Sequence, residues 1–244
     1  TATGAVAPEQ GGFGNFIIPA IFALLLALAF IFSSTYLLQG LGEEKENRLI
    51  EILLSSVSAR QLLTGKVLGI GAAGLVQVVV WVISAPLLLN LASSSIGGFI
   101  STIQLSVSFL ILAVVYFILG YLLFAVLSAG IGAISSGSRE GQQLIAIFTV
   151  PLVSPLWFMS LIMMFPNNPF WVFLTIFPIT APVEVMIRLG VSDVPAWELA
   201  ASIVVLVLSV IGALLLTIRV FRSYLLMYGK RPSLGEVIRS LRKA

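Results

Sequence analysis

The sequence contains no cysteine and no histidine, and only 9% of its 244 residues are charged. The chain therefore forms no disulfide, and it offers neither thiolate nor imidazole ligands to a metal. The absence of histidine also removes the side chain that most often acts as a general base near pH 7. Because a soluble domain has about a quarter of its residues charged, this composition excludes an ordinary water-soluble domain.

Hydrophobic residues make up 59% of the chain and fall in long runs free of Asp, Glu, Lys and Arg. These runs cover 33 residues after Glu9, 72 after Lys66, 43 after Glu140 and 20 after Glu198. An α-helix needs about 20 apolar residues to cross the bilayer core. We therefore predict an all-α membrane protein, a bundle of five transmembrane helices at about 16–38, 67–91, 103–127 (or as far as 134), 144–165 and 197–219.

A dense charge cluster follows the first predicted span and contains Glu43, Glu44, Lys45, Glu46, Arg48 and Glu51. Between Ile50 and Val57, apolar residues recur at the spacing of one helix face. The pattern predicts a cytoplasmic amphipathic helix over 43–64, loosened at Ser55, Ser56 and Ser58. Such a helix either anchors at the lipid interface or docks a cytoplasmic partner, and the residues alone leave both open.

The stretch 170–190 is apolar but is interrupted by Pro178, Pro182, Glu184 and Arg188. We interpret it as two short helices that dip into the outer leaflet as a re-entrant extracytoplasmic hairpin. With five spans, 12 of the 13 basic residues lie on one side and Arg188 lies alone on the other. The positive-inside rule makes the 12-residue side cytoplasmic, so the chain starts outside and ends inside in a basic tail, 220–244.

The sequence shows no motif for ATP hydrolysis. Gly65-Lys66 lacks the upstream glycine of a phosphate-binding loop, and no serine sits in a G-x-S-x-G elbow. The predicted spans also hold no ionisable residue in their interiors, where ion-coupled transporters usually place one. We predict no catalytic residue, cofactor or metal site in this chain. The alternatives that stay open are a transporter driven by another subunit, a secondary transporter or channel, and a membrane scaffold.

Four segments of the sequence resemble one family. The residues Glu44-Lys45-Glu46, Glu51 and Leu53-Leu54, then Gln61-Leu62-Leu63, Gly65 and Lys66, resemble the coupling-helix region of ABC transporter permeases of the type-2 exporter class. Serines without a proline separate the two parts here, a small departure from that pattern. Residues 138–143, 177–182 and 225–243 resemble the short cytoplasmic loop, the re-entrant segment and the ending of the sodium-efflux-like subfamily.

The resemblance covers about residues 16–243 and implies a permease subunit of an ATP-driven exporter in the cell (inner) membrane. Its partners would be a cytoplasmic ATP-binding subunit, which holds the ATP, and a second permease half in a homo- or heterodimer, with no nucleic acid. The resemblance assigns the ATPase-subunit contact to Glu43, Glu44, Lys45, Glu46, Arg48, Glu51, Ser55 and Ser56. It assigns the extracytoplasmic gate to Pro178, Pro182, Glu184 and Arg188.

Family members of this kind begin with one more span and a large extracytoplasmic domain. We therefore expect residues 1–15 to be a linker at the end of a missing extracytoplasmic region. The permease domain is expected over 16–219, with the coupling helix 43–64 and the re-entrant segment 170–190 inside it.

Overall fold

A computed structural model describes residues 13–46, 107–135 and 137–224, together with residues 56–58, 61–62, 64–66, 68–69, 72–73, 76, 80 and 84. Seven helices account for the three long described segments, and no strand occurs in them. They are α1 (Phe13–Glu46), α2 (Val107–Ile134), α3 (Ser138–Trp157), α4 (Met159–Met164), α5 (Pro169–Ile176), α6 (Ala181–Val191) and α7 (Ala196–Tyr224).

Three of these helices are long and apolar enough to cross a membrane: Pro19–Glu44 within α1, all of α2, and Ala196–Val220 within α7. They correspond to the first, third and fifth predicted spans, which confirms the predicted helices and membrane-span candidates for the described residues. The second predicted span lies mostly outside the described residues. The total of five spans therefore remains a prediction.

The first helix continues beyond its predicted end at Leu38. Leu38 and Leu41 are each 1% exposed, and they pack against Gly132 and Gly141 across the turn between α2 and α3. This packing extends the helix to Glu46, so residues 43–46 form its last turn rather than the start of a separate coupling helix. The apolar run in the sequence stops before Leu41, so the sequence predicts too early an end for the first span.

The predicted fourth span is divided in the structure, because α3 ends at Trp157 and α4 begins at Met159. Two prolines, Pro151 and Pro155, lie inside α3, and neither has an N–H to donate to the carbonyl four residues before it. The carbonyl of Pro151 would otherwise face the missing donor of Pro155, and the Ser154 hydroxyl donates to it instead at 2.7 Å. Backbone hydrogen bonds on both sides of Phe158 keep α3 and α4 nearly continuous.

Aromatic stacking holds α1 against α2. The ring of Phe30 stacks on Phe117 at 5.9 Å and on Phe124 at 5.6 Å between centroids, and all three are buried. A Cβ on Gly120 would lie 2.7 Å from the Phe30 ring and 2.9 Å from Pro182. Only a glycine at this position lets α1, α2 and α6 approach so closely.

Two stripes of small residues, each spaced by four, have different surroundings. Ala125, Ala129 and Ala133 of α2 are all buried, and small residues at this spacing let helices pack closely. Gly65, Gly69 and Ala73 are exposed, and a Cβ on either glycine meets nothing within 4 Å. No described helix therefore packs closely against this second stripe.

The short helix α6 is deeply buried. Every residue of α6 from Ala181 to Arg188 is fully or almost fully buried, although the segment contains a carboxylic acid and a guanidinium. The helix packs against α1, α2, α3, α4, α5 and α7. At 11 residues it is too short to span a bilayer. The bundle is thus assembled around a short helix that does not cross the membrane.

Replacing Gly120 with alanine is expected to destabilise the bundle by about 1–3 kcal/mol, because the new methyl group overpacks the contact with Phe30 and Pro182. Gly212→Ala is the matched control, since a Cβ there meets nothing within 4 Å. Thermal unfolding of both variants in detergent micelles measures the difference. Equal melting temperatures for the two variants would contradict the close approach at Gly120.

Candidate functional site

One end of the bundle brings together α1, α3 and the segment around Lys66; we call it the junction end, defined by Gly42, Glu44, Lys66 and Ser138. A Cβ on Gly42 would lie 2.7 Å from the backbone nitrogen of Ser138, so α1 crosses the first residue of α3 at backbone distance. A backbone atom cannot move aside as a flexible side chain can. The glycine therefore fixes how the end of α1 meets α3.

An ion pair links the last turn of α1 to Lys66. The Nζ atom of Lys66 lies 2.5 Å from Oε2 of Glu44, and the two side chains are 17% and 25% exposed. The pair joins the last turn of α1 to the residues that follow the predicted coupling helix. Both ends of the predicted coupling segment, 43–64, are therefore anchored at the junction end.

A capping box marks the predicted break in this segment. The Ser58 backbone N–H and hydroxyl donate to Oε1 of Gln61 at 2.9 and 2.8 Å, and the Gln61 backbone N–H donates to Ser58 Oγ at 3.3 Å. The Leu62 backbone N–H then donates to the Ser58 carbonyl, as in the first turn of a helix. A new helix therefore starts at Ser58, and Val57 is a bend, in agreement with the predicted loosening at the serines.

The structure places only some of the predicted ATPase-contact residues. Glu43 and Ser56 are exposed, and Glu44 is half-buried in its ion pair. Lys45 and Glu46 belong to the last turn of α1. Three further residues of the predicted contact lie outside the described part of the chain: Arg48, Glu51 and Ser55.

The predicted re-entrant segment consists of two helices, α5 and α6, joined by a tight turn over Phe177–Thr180. The side chain of Asn168 caps α5 by accepting from the Phe170 N–H at 3.0 Å. At the turn, the Thr180 hydroxyl donates to the Leu174 carbonyl at 2.6 Å, which fixes α6 against the end of α5. Two short helices were predicted here, and two are present. Their entry into the membrane remains a prediction.

A buried network centred on Arg188 connects this hairpin to α7. Nη1 of Arg188 donates to Oε2 of Glu198 at 2.6 Å and to Oγ1 of Thr175 at 2.7 Å, and Arg188 is 0% exposed. The Ser202 hydroxyl donates to the Thr175 carbonyl at 2.6 Å. One guanidinium thus links α5, α6 and α7. Such a buried pair fixes geometry more reliably than it adds net stability.

The second buried acid of α6, Glu184, has a different environment. It is 0% exposed, and neither of its oxygens has a hydrogen-bond partner among the described residues. Burial raises the pKa of the Glu184 carboxyl from its ordinary 4.5 to about 8, although the nearby Arg188 charge lowers it. The carboxyl is therefore mainly protonated at neutral pH, which leaves Arg188 and Glu198 as a balanced pair.

Glu198, Thr175 and Ser202 were not predicted as members of the network around Arg188. A signal was present, because Arg188 is the single basic residue between Arg139 and Arg219. A lone cation in so long an apolar stretch requires a nearby acid. Three acids, at positions 184, 193 and 198, meet that requirement, and sequence spacing does not choose among them. Pro178 is partly buried at the hairpin turn, and Pro182 is buried against Gly120.

In the described residues no group of three or more acidic, cysteine or histidine side chains could hold a metal. These residues define a helical membrane protein whose buried polar network joins helices. A sequence profile described as ABC-2 family transporter protein matches residues 4–219. The chain therefore belongs to the ABC-2 transporter family, whose members are membrane subunits that generally pair with an ATP-binding subunit and are not themselves catalytic.

Two relatives carry names that give no activity. The uncharacterized protein MJ1024 of Methanocaldococcus jannaschii is 32% identical over 236 residues, which are 96% of this chain and 56% of that protein. The uncharacterized protein YhaP of Bacillus subtilis is 28% identical over 231 residues, 92% of this chain and 55% of that protein. The chain thus spans about half the length of the curated relatives it matches. No solved structure matches it.

Arg188→Met is expected to destabilise the bundle by about 3–5 kcal/mol, because Glu198 is left buried without its counter-charge. Adding Glu198→Met removes the stranded carboxylate and should recover most of that loss. Unfolding of the two single variants and the double variant, as a double-mutant cycle, measures the coupling. Simply additive losses would contradict a direct pair.

Glu184→Gln is expected to stabilise the protein by an amount that grows with pH. The folded state keeps its proton up to about pH 8 and the unfolded state loses it near 4.5, so wild-type stability falls between these values. The gain from Gln should be near zero below pH 4.5, rise by roughly 1 kcal/mol per pH unit, and level off above pH 8. Melting temperatures of both proteins from pH 4 to 9 test this, and a constant difference would contradict it.

Proposed function

We propose that this chain is the membrane-spanning permease part of an ATP-driven ABC exporter, in which the junction end contacts the ATP-binding subunit and the α5–α6 hairpin gates the opposite side. Family membership and the anchoring of residues 44 and 66 to one another support the proposal. ATP hydrolysis would occur in the partner subunit. A second permease half and the sodium-efflux-like subfamily are parts of the same proposal, supported by sequence likeness alone.

The directions of the three long helices support five spans. Phe22 meets Phe109 near the start of α1 and α2, and Leu41 packs on Gly132 near their ends, so these helices run parallel. The C-terminal halves of α2 and α7 also lie side by side, with the Thr217 hydroxyl donating to the Val126 carbonyl. Parallel spans require an odd number of crossings between them. One crossing by α3 and α4, and none by α5 and α6, satisfies this requirement.

The same geometry supports the proposed orientation. The ends of α1 and α2 and the start of α3 lie together at the junction end, and α7 ends there too. Among the described basic residues, Lys66, Arg139 and Arg219 lie toward this end, whereas Arg188 lies in the hairpin. The positive-inside rule makes it the cytoplasmic end, where an ATP-binding subunit is located. The hairpin then belongs to the extracytoplasmic half.

The gate proposal depends on the contacts of the hairpin. Helix α6 packs on each of α1 to α5 and on α7, so a tilt of the spans must move it. Arg188 ties the hairpin to α7 by one buried pair and one hydroxyl. Rigid-body rearrangement about such a packed element is a common way to switch access in transporters. The hairpin would open when the spans tilt and the contacts of Arg188 rearrange.

A secondary transporter is the second candidate, and one observation favours it. Glu184 is a fully buried acid without a hydrogen-bond partner among the described residues, and ionisable residues inside membrane bundles often serve proton relays. The spans were predicted to be free of interior charges, and that remains true of α1 and α2. Co-purification separates the candidates, because an ABC permease binds an ATP-binding subunit and alters its ATPase rate. Proton-driven transport without such a subunit would instead support the second candidate.

Reversing the charge of Glu44 or Lys66 alone is expected to weaken coupling, because like charges then meet at the base of the proposed coupling segment. The double variant Glu44→Lys, Lys66→Glu restores an opposite pair and should recover the ATPase rate that the permease produces. The ATPase rate of the full-length complex in vesicles measures both effects. Equal loss in the single and double variants would contradict a role for the pair.

A further inference from the structure

A cavity of about 680 Å³ lies between α2 and α7, which are two of the three membrane-spanning candidates. Phe148 of α3 and residues of the hairpin turn form further parts of its wall. Its other lining residues come from the C-terminal halves of the two spans, from Leu123 to Ile134 and from Ser209 to Val220. The volume is in the range of sites for small organic molecules, about 300–1,000 Å³.

The lining has no charged residue and only two hydroxyls. The Ser209 hydroxyl donates to the Val205 carbonyl at 2.7 Å, and the Thr217 hydroxyl donates to the Val126 carbonyl at 3.1 Å. Both donors are therefore already used inside the protein. A cavity of this chemistry cannot replace the hydration shell of an ion or the hydrogen bonds of a sugar or nucleotide, so those ligands would lose free energy by entering it.

The position of the cavity connects it to both the bilayer and the proposed gate. Leu216 lines the cavity and is 50% exposed, so the cavity opens sideways from the bundle at the depth of the spans. Pro178 and Ile179, at the turn of the hairpin, form part of its wall. A molecule inside would touch the element that we propose to move during transport.

We propose that this cavity binds the hydrocarbon chain of an amphipathic molecule that enters sideways from the bilayer, and that such molecules are the substrate class of the permease. Binding of the chain in the cavity does not depend on the proposed function. Only the statement that such molecules are transported rests on it. An uncharged chain matches the uncharged lining, and the lateral opening gives it a path that avoids water. Contact of the chain with Pro178 and Ile179 would link occupancy to the hairpin.

Gly212 offers a direct way to fill the cavity. It lines the cavity, and a Cβ there meets nothing within 4 Å, so Gly212→Leu adds a side chain without a backbone clash. Gly69→Leu is the matched control, because that glycine is equally open and does not line the cavity. The probe is palmitic acid carrying a photoactivatable diazirine, added to the full-length protein in phosphatidylcholine vesicles.

Mass spectrometry of the labelled protein then locates the probe. We expect labelling to concentrate on Phe148 and Leu216 relative to Leu208 and Ile211, which are exposed on α7 but do not line the cavity. Gly212→Leu should reduce labelling of the cavity to the level of those two residues, and Gly69→Leu should leave it unchanged. Unlabelled palmitic acid should compete, whereas glycerol phosphate, a headgroup without a chain, should not.

Three results would overturn the inference. Uniform labelling along α7 would mean plain contact with lipid, and cavity labelling that survives Gly212→Leu would place the probe elsewhere. A disulfide between two copies through a single cysteine at Leu216 would show that a second copy of the chain covers the cavity. Labelling needs no ATP-binding subunit, so it can fail while ATPase coupling succeeds, or succeed while coupling fails, and the two proposals are judged separately.

Discussion

A guanidinium buried among apolar helices must have partners, and the arrangement of this bundle follows from that constraint. Arg188 is fully buried and obtains its partners from two other elements, Glu198 of α7 and Thr175 of α5. These two contacts, both made by Nη1, require α5, α6 and α7 to meet at one point. With α6 placed there, Gly120 and Phe30 can approach it from α2 and α1, so the spans are arranged around the hairpin.

Two regions with different chemistry follow from this arrangement. At the junction end, Glu44 pairs with Lys66. A capping box at Ser58 precedes the helical residues that lead to Lys66. Between α2 and α7, the hairpin turn borders an uncharged cavity open to the side. The spans connect the two regions as stiff helices. A displacement at the junction end can therefore reach the cavity and the hairpin through rigid elements.

Much of the helical content was predictable from the sequence because bilayer thickness sets the length of an apolar run. The spans α2 and α7 were located to within a few residues of their ends, apart from the C-terminal extension of α7 to Tyr224. The break after Ser56 was predicted from serine content, and Gln61 completes the cap there. The extension of α1 to Glu46 was not predictable, because it depends on Leu41 packing onto Gly132, a contact between distant residues. The partner of Arg188 was missed for the same reason.

We expect ATP, acting on the partner subunit, to move the hairpin relative to α7. The cysteine-free chain permits two introduced cysteines for spin labels, at the exposed Phe173 of α5 and the exposed Trp197 at the start of α7. Double electron–electron resonance measures the distance between the two labels in the full complex, with and without ATP. We expect ATP to shift the distribution of distances between the two labels. We also expect Arg188→Met to broaden this distribution before ATP is added. An identical distance distribution with and without ATP would contradict this movement of the hairpin.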